Sequence, residues 1–212
     1  PRPPCRERRG DRLPGGSKSE RTKLRIQQAA ARLFASRSFE TVSTRAIAKE
    51  AGVDAALIHH YFGSKEGLFQ AVLNAAIHPE QLEALVVSES PEDWGRQLVR
   101  AADKVWTSPA APALKAVVRR VLVGHEGMLR EFVTRSLLNR FLSHIKGPEP
   151  ERRLRASLIG SQMAGLVIAR HIVGIEPLAS LSTDEVADLI GPVLQHYITG
   201  SLQSGKIVKG EN

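Results

Sequence analysis

The stretch TVSTRAIAKEAGVDAALIHHYF, residues 41–62, decides the fold of this chain. Its first half predicts a short helix over about 44–51, and Gly52 follows at a point where a residue with positive φ can end a helix. Asp54 can cap a second short helix over about 55–61. Two short helices joined by a glycine-containing turn form a helix-turn-helix motif, in which the second helix enters the major groove of DNA. The stretch therefore predicts a DNA-reading unit.

Two adjacent histidines, His59 and His60, stand in the second of these helices. Adjacent side chains on a helix point about 100° apart, so the two rings cannot face one metal ion, and metal-binding pairs on helices need the i,i+4 spacing. Ile58 and Phe62 occupy the inward positions, which leaves both histidines on the outer face. We therefore predict no metal site here, and both rings are candidates for contacts with base edges or phosphates.

Positive charge is concentrated at the N-terminal end of the chain. The net charge is +8 over 212 residues, of which +5 lies in residues 1–23, +2 in residues 24–78 and +1 in the remainder. This distribution is expected where one end of a protein meets a polyanion, although a basic tail can also serve solubility alone. The single cysteine, Cys5, excludes a disulfide framework or a thiolate metal cluster within one chain.

The spacing of apolar residues predicts an all-α fold. Residues 1–20 are rich in proline, glycine and charge, and we expect them to be a disordered basic tail. From about residue 21 onward apolar side chains recur at helical spacing, and the start and stop signals predict about nine helices, short over 43–78 and longer after residue 91. No apolar run approaches the roughly 18 residues of a membrane span, and no apolar stretch follows the basic N-terminus as it would in a secretory signal.

A longer segment, TRAIAKEAGVDAALIHHYFGSKEGLF at residues 44–69, resembles the DNA-binding signature of the TetR family of bacterial transcriptional regulators. The shared pattern is an Ile-Ala pair, an Ala-Gly-Val turn, an aromatic-Phe pair, a short polar turn and Lys-Glu-x-Leu-Phe, and the resemblance extends over about 24–73. It implies a cytoplasmic homodimer that associates with the nucleoid. Its helix-turn-helix head would span 21–67, its helical ligand-binding and dimerisation domain 68–200, and a flexible tail 201–212.

Helix geometry and the resemblance together assign the residues that contact DNA. Leu57 is suited to apolar contact with a thymine methyl group, and the Tyr61 hydroxyl to a contact with phosphate. The N-terminus of the first motif helix, and that of the helix capped by Ser64, each favour an anion. The family often has a small hydroxyl residue in place of Leu57 and a tyrosine in place of His59. The predicted DNA-binding residues are Ser43, Thr44, Arg45, Ala55, Ala56, Leu57, His59, His60, Tyr61 and Lys65.

The last two helices carry the predicted dimer interface. Small residues recur along 154–174 and allow a second helix to approach closely, although the same face could be intrachain core. Paired with the final helix, they would form a four-helix bundle between two chains. Two-fold symmetry would then set the recognition helices about 34–36 Å apart on a palindromic site. The predicted interface residues are Gly160, Ala164, Gly165, Ile168, Val186, Ile190 and Leu194.

A sensing pocket is predicted among the helices between residues 91 and 173. Their apolar composition favours a lipophilic ligand, while each candidate side chain can equally be plain core. The candidate ligand-binding residues are Trp94, Trp106, His125, Met128, Phe132 and Met163.

These observations favour a repressor that a small, lipophilic ligand releases from a palindromic operator on double-stranded DNA. The alternative is a DNA-bound interaction protein without a small-molecule effector, which a tightly packed body would favour and an open apolar cavity would not. The sequence has no constellation of nucleophile, base or cofactor-binding residues, so we predict neither an enzyme nor a cofactor.

Overall fold

All regular elements in the described part of the chain are helices, which confirms the predicted all-α class. The structure, a computed structural model, describes residues 17–87, 90–121 and 126–202, except the side chains of residues 120, 121, 126 and 129. The α-helical segments are α1 (Lys18–Ser36), α2 (Thr44–Ala51), α3 (Ala56–Phe62), α4 (Lys65–Ile77), α5 (Pro79–Val87), α6 (Trp94–Trp106), α7 (Ala111–Val121), α8 (Glu126–Phe132), α9 (Asn139–Leu142), α10 (Glu149–Val167) and α11 (Thr183–Thr199).

Three short segments extend or join these helices. A 3₁₀ turn, Pro91–Asp93, precedes α6. Segments of π-helix, in which a backbone N–H bonds five residues back, occupy Val133–Leu138 between α8 and α9, and Ile168–Val173 after α10. Consequently α8 and α9 form one rod, and α10 continues to Gly174, whose φ of +78° ends it.

The first helix begins earlier than the sequence predicted. The Ser17 hydroxyl accepts a hydrogen bond from Glu20 N at 3.2 Å, and Ser17 N donates to the Glu20 carboxylate at 2.5 Å. This reciprocal capping box stabilises the first turn, so the prediction of disorder is wrong for residues 17–20. The prediction failed because both residues follow directly on the proline- and glycine-rich stretch whose composition dominated it. Residues 1–16 and 203–212, the remainder of the two predicted tails, lie outside the described residues.

Helices α1 to α4 enclose an apolar core. The rings of Phe34, Phe39 and Phe69 meet at its centre, with centroids 5.4 to 5.7 Å apart. Ile47 of α2 and Ile58 of α3 are fully buried in the same cluster. Burial of an isoleucine side chain contributes about 1.5–3 kcal/mol, so these two residues fix the faces that α2 and α3 turn inward.

Helix α4 belongs to both the head and the body of the molecule. Leu68 and Phe69, near its start, are buried in the head core, whereas Leu73 and Ile77, near its end, face the helices of the body. His78, with a φ of +51°, ends α4, and α5 begins at the next residue. The start and stop signals of the sequence did not predict α5.

Helices α6 and α11 pack with their backbones in contact. A Cβ added at Gly95 would collide with the Gly191 carbonyl oxygen, and one added at Gly191 would lie 3.0 Å from the Arg96 Cα atom. The side-chain oxygen of Gln195 accepts a hydrogen bond from Gly95 N at 2.9 Å. Two glycines at this crossing therefore allow the close approach, and the contact fixes the start of α6 against the middle of α11.

A buried ionic cluster joins α6, the end of α10 and the start of α11. Asp103 accepts a hydrogen bond from Arg170 Nε at 3.0 Å, lies 2.8 Å from His171 Nε2 and accepts another from the Thr183 hydroxyl. The other two Arg170 nitrogens donate to loop carbonyls at 2.5 and 2.7 Å. Burial raises the pKa of Asp103, but the bonds from Thr183 and Arg170 outweigh it and leave that pKa below its ordinary value. Burial lowers the pKa of His171, so its ring is neutral near neutral pH.

One helix in the described part of the chain, Glu149–Val173, is long and apolar enough to cross a membrane by length and composition, with a mean hydropathy of 1.3. Charged residues such as Arg155 and Arg170 interrupt it, so no uninterrupted apolar run of the sequence predicted a span. A single such helix is weak evidence for a span. Its buried Arg155 donates to the Tyr197 carbonyl at 2.9 Å, and its buried Arg170 belongs to the ionic cluster, so both bind groups of the protein itself.

Candidate DNA-binding surface and apolar cavity

The turn of the predicted DNA-binding motif is fixed by α1. Ser43 caps α2 by accepting a hydrogen bond from Ala46 N at 3.1 Å, and Gly52 ends α2 with a φ of +63°. The Arg25 guanidinium donates to the carbonyls of Ala51 at 2.5 Å and Gly52 at 2.9 Å. A Cβ added at Gly52 would lie 2.9 Å from that guanidinium. The glycine therefore serves both the left-handed backbone and the arginine contact that holds the turn.

Helix α3 presents a solvent-exposed face of the kind that a recognition helix needs. Ala56, His59 and His60 are exposed, whereas Ile58 on the opposite side is fully buried. Three further predicted residues are half-buried and pack against the head core, namely Ala55, Leu57 and Tyr61. Each of these three offers only part of its side chain to DNA.

The His59 ring is oriented by its own helix end. Its Nδ1 lies 3.0 Å from the Gly63 carbonyl oxygen. Because a carbonyl oxygen only accepts, Nδ1 carries the hydrogen, and Nε2 of the neutral ring is an acceptor. An acceptor in the major groove suits the exocyclic amine of adenine or cytosine, which sequence reasoning did not specify.

A cation of α1 also lies beside the recognition helix. Lys23 Nζ is 5.4 Å from the centroid of the Tyr61 ring, and the His60 ring meets the same tyrosine edge-on at 4.9 Å. Lys23 was not among the predicted DNA-binding residues. The concentration of positive charge in residues 1–23 was the sequence signal that pointed to it.

The two predicted phosphate-binding cations differ in their surroundings. Arg45, in the first turn of α2, is exposed, and its guanidinium has no bonding partner in the described part of the chain. Lys65 at the start of α4 is half-buried; its ammonium donates to the Phe39 carbonyl at 2.8 Å and lies 4.1 Å above the Phe39 ring. Lys65 keeps two N–H donors for an anion, and its role at phosphate stays a prediction, as does that of half-buried Thr44.

The body contains an apolar cavity of about 200 Å³ that is partly open to solvent. Its walls come from α4 to α8, the first π-helical segment, α9, α10 and the start of the second π-helical segment. All the described side chains that line it are apolar: Leu73, Ile77, Leu82, Val86, Leu98, Ala101, Ala102, Val105, Trp106, Val118, Phe132, Val133, Leu137, Leu138, Phe141, Ile159, Met163, Ala164, Val167 and Ile168, with Gly160 completing the wall.

The structure brings three of the six predicted pocket residues to this cavity, namely Trp106, Phe132 and Met163. Trp94 instead packs edge-on against His144, with ring centroids 5.8 Å apart, and does not line the cavity. Met128 is half-buried against the head core, and its carbonyl accepts a bond from the Gln70 side chain at 3.1 Å. The prediction is therefore wrong for Trp94 and Met128 as cavity residues. His125 lies outside the described residues.

Helix α4 supplies cavity residues that sequence reasoning missed. Leu73 and Ile77 lie one helical turn apart near its C-terminal end, and both line the cavity. Their i,i+4 spacing was visible in the sequence, but the pocket was predicted only among the helices between residues 91 and 173, which excludes α4. The same helix begins in the head at Lys65, so one rigid element connects the cavity with the DNA-binding motif.

The predicted dimer residues divide between exposed and internal positions. Val186 and Leu194 are 1% and 0% exposed, within the core that α11 forms with α6, so their prediction as interface residues is wrong. The apolar residues that α11 exposes are Leu189 and Val193, at 64% and 40%. The helical spacing of apolar residues in α11 was predicted correctly. However, α6 covers the face that had been assigned to the second subunit.

The remaining predicted interface residues lie mostly on α10. Ala164 and Gly165 are exposed, and a Cβ added at Gly165 would meet open space. Gly160 faces inward, because an added Cβ would lie 2.8 Å from the Leu138 side chain. Two residues are half-buried, namely Ile168, which lines the cavity, and Ile190, which packs on the body core.

Known protein families match both halves of this arrangement. Residues 26–72 match the family described as bacterial regulatory proteins, tetR family, and residues 92–198 match the tetracyclin repressor-like C-terminal domain. These ranges contain the helix-turn-helix head and most of the cavity and its surrounding helices.

Individual proteins agree with the family models. A TetR-family regulator from Streptomyces coelicolor is 35% identical, with a TM-score of 0.71, and the match covers 89% of this chain and 99% of that one. The HTH-type transcriptional regulatory protein RaaS of Mycobacterium tuberculosis is 29% identical over 84% of this chain and 85% of its own length. NalD of Pseudomonas aeruginosa, the secondary repressor of the MexAB-OprM multidrug efflux pump, shares the fold at 20% identity and a TM-score of 0.59, covering 87% of this chain and all of that one.

Members of this family are soluble, cytoplasmic transcriptional regulators and not enzymes, and they bind DNA operators as homodimers. The exposed recognition helix, the capped and arginine-held turn before it, and the two family matches together show that this chain belongs to the TetR family of bacterial transcriptional regulators.

Proposed function

We propose that this regulator is a repressor that binds a palindromic operator as a homodimer and leaves it when a small, lipophilic ligand enters the apolar cavity. The observation that carries the proposal is that α4 forms part of both sites. Its start lies beside the DNA-binding motif, and its Leu73 and Ile77 line the cavity.

The proposed release depends on a difference in affinity between two conformations. A ligand lowers operator affinity only if it binds more tightly to a dimer whose heads do not match the groove spacing than to the DNA-bound dimer. A coupling of about 1–3 kcal/mol, typical of such systems, corresponds to about a 5- to 150-fold loss of affinity. A ligand that displaces the Leu73 end of α4 would move the Lys65 end in the head.

The exposed surface of α10 and α11 supports a dimer at this face. α10 offers the small residues Ala164 and Gly165, and α11 offers the exposed apolar residues Leu189 and Val193. Small side chains let two helices approach closely, and exposed apolar side chains of this size stabilise an interface by being buried. We assign the interface to this surface and the DNA-binding domain to residues 17–67, with the body over 68–200. In the cell, the dimer would lie on the nucleoid when it is bound to DNA.

The alternative, an interaction protein without an effector, requires a tightly packed body. A cavity of about 200 Å³ between α4 and α10 favours the sensor. Protein interiors contain few voids larger than a water molecule, so an apolar space of this size has a cost in stability that binding of a ligand would offset.

Selection of bound duplexes from a random DNA pool tests the first part of the proposal. The expected result is a palindrome whose half-sites are about one helical turn apart, roughly 34–36 Å. Adding lipophilic compounds to the purified complex then tests release. A folded dimer that enriches no sequence would refute the operator-binding part, and an operator complex that no lipophilic compound weakens would favour the interaction protein.

A further inference from the structure

The described part of the cavity wall offers no countercharge to an ionised ligand. The described side chains of its wall are aliphatic, aromatic or thioether groups, and the indole of Trp106 is the one group among them with a polar hydrogen. An ionised carboxylate or ammonium that enters such surroundings without a partner loses its hydration and gains no compensating bond.

A buried ionic cluster adjoins the cavity wall in sequence, and its groups are already paired. Asp103 adjoins Ala102 on α6, and its two oxygens accept from Arg170 and Thr183, with His171 beside them. Each of the three Arg170 nitrogens donates a hydrogen bond within the protein. This cluster therefore has no charge left for a ligand, although it lies beside the wall.

The cavity wall includes residues of both π-helical segments. The first segment contributes Val133, Leu137 and Leu138, and the second contributes Ile168. A π turn widens a helix locally. Such turns occur frequently at functional sites.

The volume of the cavity sets the size of the ligand. An engineered protein cavity of about 150 Å³ holds benzene, so a cavity of about 200 Å³ accommodates roughly eight to ten heavy atoms without rearrangement. Gly160 and Ala102 contribute small residues to the wall, and larger side chains there would reduce this space.

We propose that the ligand is a compact, uncharged molecule with a hydrocarbon skeleton of about ten atoms and at most one hydroxyl or carbonyl group, and that carboxylates and ammonium ions of the same shape are rejected. This inference rests on the proposed function, because it defines the effector of that cavity. It excludes ligands whose charged group would have to lie inside the cavity.

Three compounds with one skeleton test the proposal: 1-adamantanol, the 1-adamantylammonium ion and the adamantane-1-carboxylate ion. The first two are nearly identical in shape and differ in charge. Trp94→Phe leaves Trp106, which lines the cavity, as the sole tryptophan of the chain, so its fluorescence reports binding. We expect saturable binding of 1-adamantanol and at least about 100-fold weaker binding of both ions. Calorimetry on the unsubstituted protein repeats the comparison.

Two variants locate the binding. Ala102→Leu places a larger side chain in the cavity wall and should weaken 1-adamantanol binding at least about tenfold. Ala75→Leu makes the same change at an exposed position of α4 outside the cavity and should leave binding unchanged. Equal binding of the alcohol and either ion would overturn the proposal. So would the absence of saturable binding by 1-adamantanol, borneol and 1-nonanol alike.

Operator release is measured separately with the same compounds. Binding of the alcohol without loss of operator affinity would leave the ligand class intact and refute the ligand-release part of the proposed function. Release of the operator by the ions, with no effect of the alcohol, would support the function and refute the ligand class.

Discussion

Arg45 provides a direct test of the DNA-binding surface. It is exposed in the first turn of α2 and has no bonding partner in the part of the chain that the structure describes, so Arg45→Ala removes a charge without removing an internal contact. A dimer presents this residue twice. Each phosphate contact contributes about 0.9 to the slope of log affinity against log salt concentration, so the variant should bind DNA with a slope shallower by about 1.8.

The assay is fluorescence anisotropy on the selected operator, between about 50 and 200 mM salt. A slope difference of about 1.8 over this fourfold range means that the ratio of wild-type to variant affinity shrinks by about 12-fold as the salt concentration rises. The control is Lys104→Ala, which changes the net charge equally but lies exposed on α6 in the body. Parallel lines for wild type and Arg45→Ala would refute the placement of Arg45 at phosphate.

Three other substitutions test the body of the molecule. Arg170→Met leaves the Asp103 carboxylate buried without its partner, so it should lower the free energy of unfolding in urea by about 3–5 kcal/mol, and adding Asp103→Leu should restore most of the loss; a cost below about 1 kcal/mol would contradict this account. Burial lowers the pKa of His171 in the folded state, so the unfolded chain takes up this proton first as pH falls, and the free energy of unfolding should decrease below about pH 6.5. His171→Gln should remove that part of the pH dependence in urea titrations, and an unchanged profile would exclude His171 as its source. Leu189→Glu places a charge on the exposed face of α11 and should raise the dimer dissociation constant at least about 100-fold in sedimentation velocity, whereas an unchanged dimer would remove this face from the interface.

Local signals predicted the DNA-binding motif well, because the relevant chemistry is contained in a few consecutive residues. Ser43 caps α2, and Gly52 adopts the left-handed conformation that ends it. Ser182 and Glu185, whose types and spacing in the sequence are those of a capping box, form one at the start of α11. Such contacts join residues two to four positions apart, so the sequence specifies them directly.

Tertiary choices were harder to predict. The helical spacing of apolar residues in α11 was visible in the sequence. The sequence does not show, however, which helix covers which face of α11. Val186 and Leu194 were therefore assigned to the dimer interface, whereas α6 of the same chain covers them. A cavity is even harder to recognise in a sequence, because the apolar residues that line a cavity are of the same types as those that pack in a filled core. Trp106 and Trp94 were therefore indistinguishable in the sequence, although only the first of the two lines the cavity.

The continuity of the apolar core limits how freely this protein can be recombined with its relatives. A single cluster of buried residues runs from Ile47 in the head to Leu114 in α7 and Phe132 in α8, and α1 packs directly against α7. The head consequently cannot be transferred to another protein as an independent domain. A hybrid joined at residue 67 to an unrelated body would expose the surface of α1 that α7 covers. It would also lose the packing contacts that stabilise α1. Biosensor designs that exchange the DNA-binding head of this chain should therefore transfer α7 and α8 together with the head. Otherwise they should redesign the surface of α1 that these helices cover.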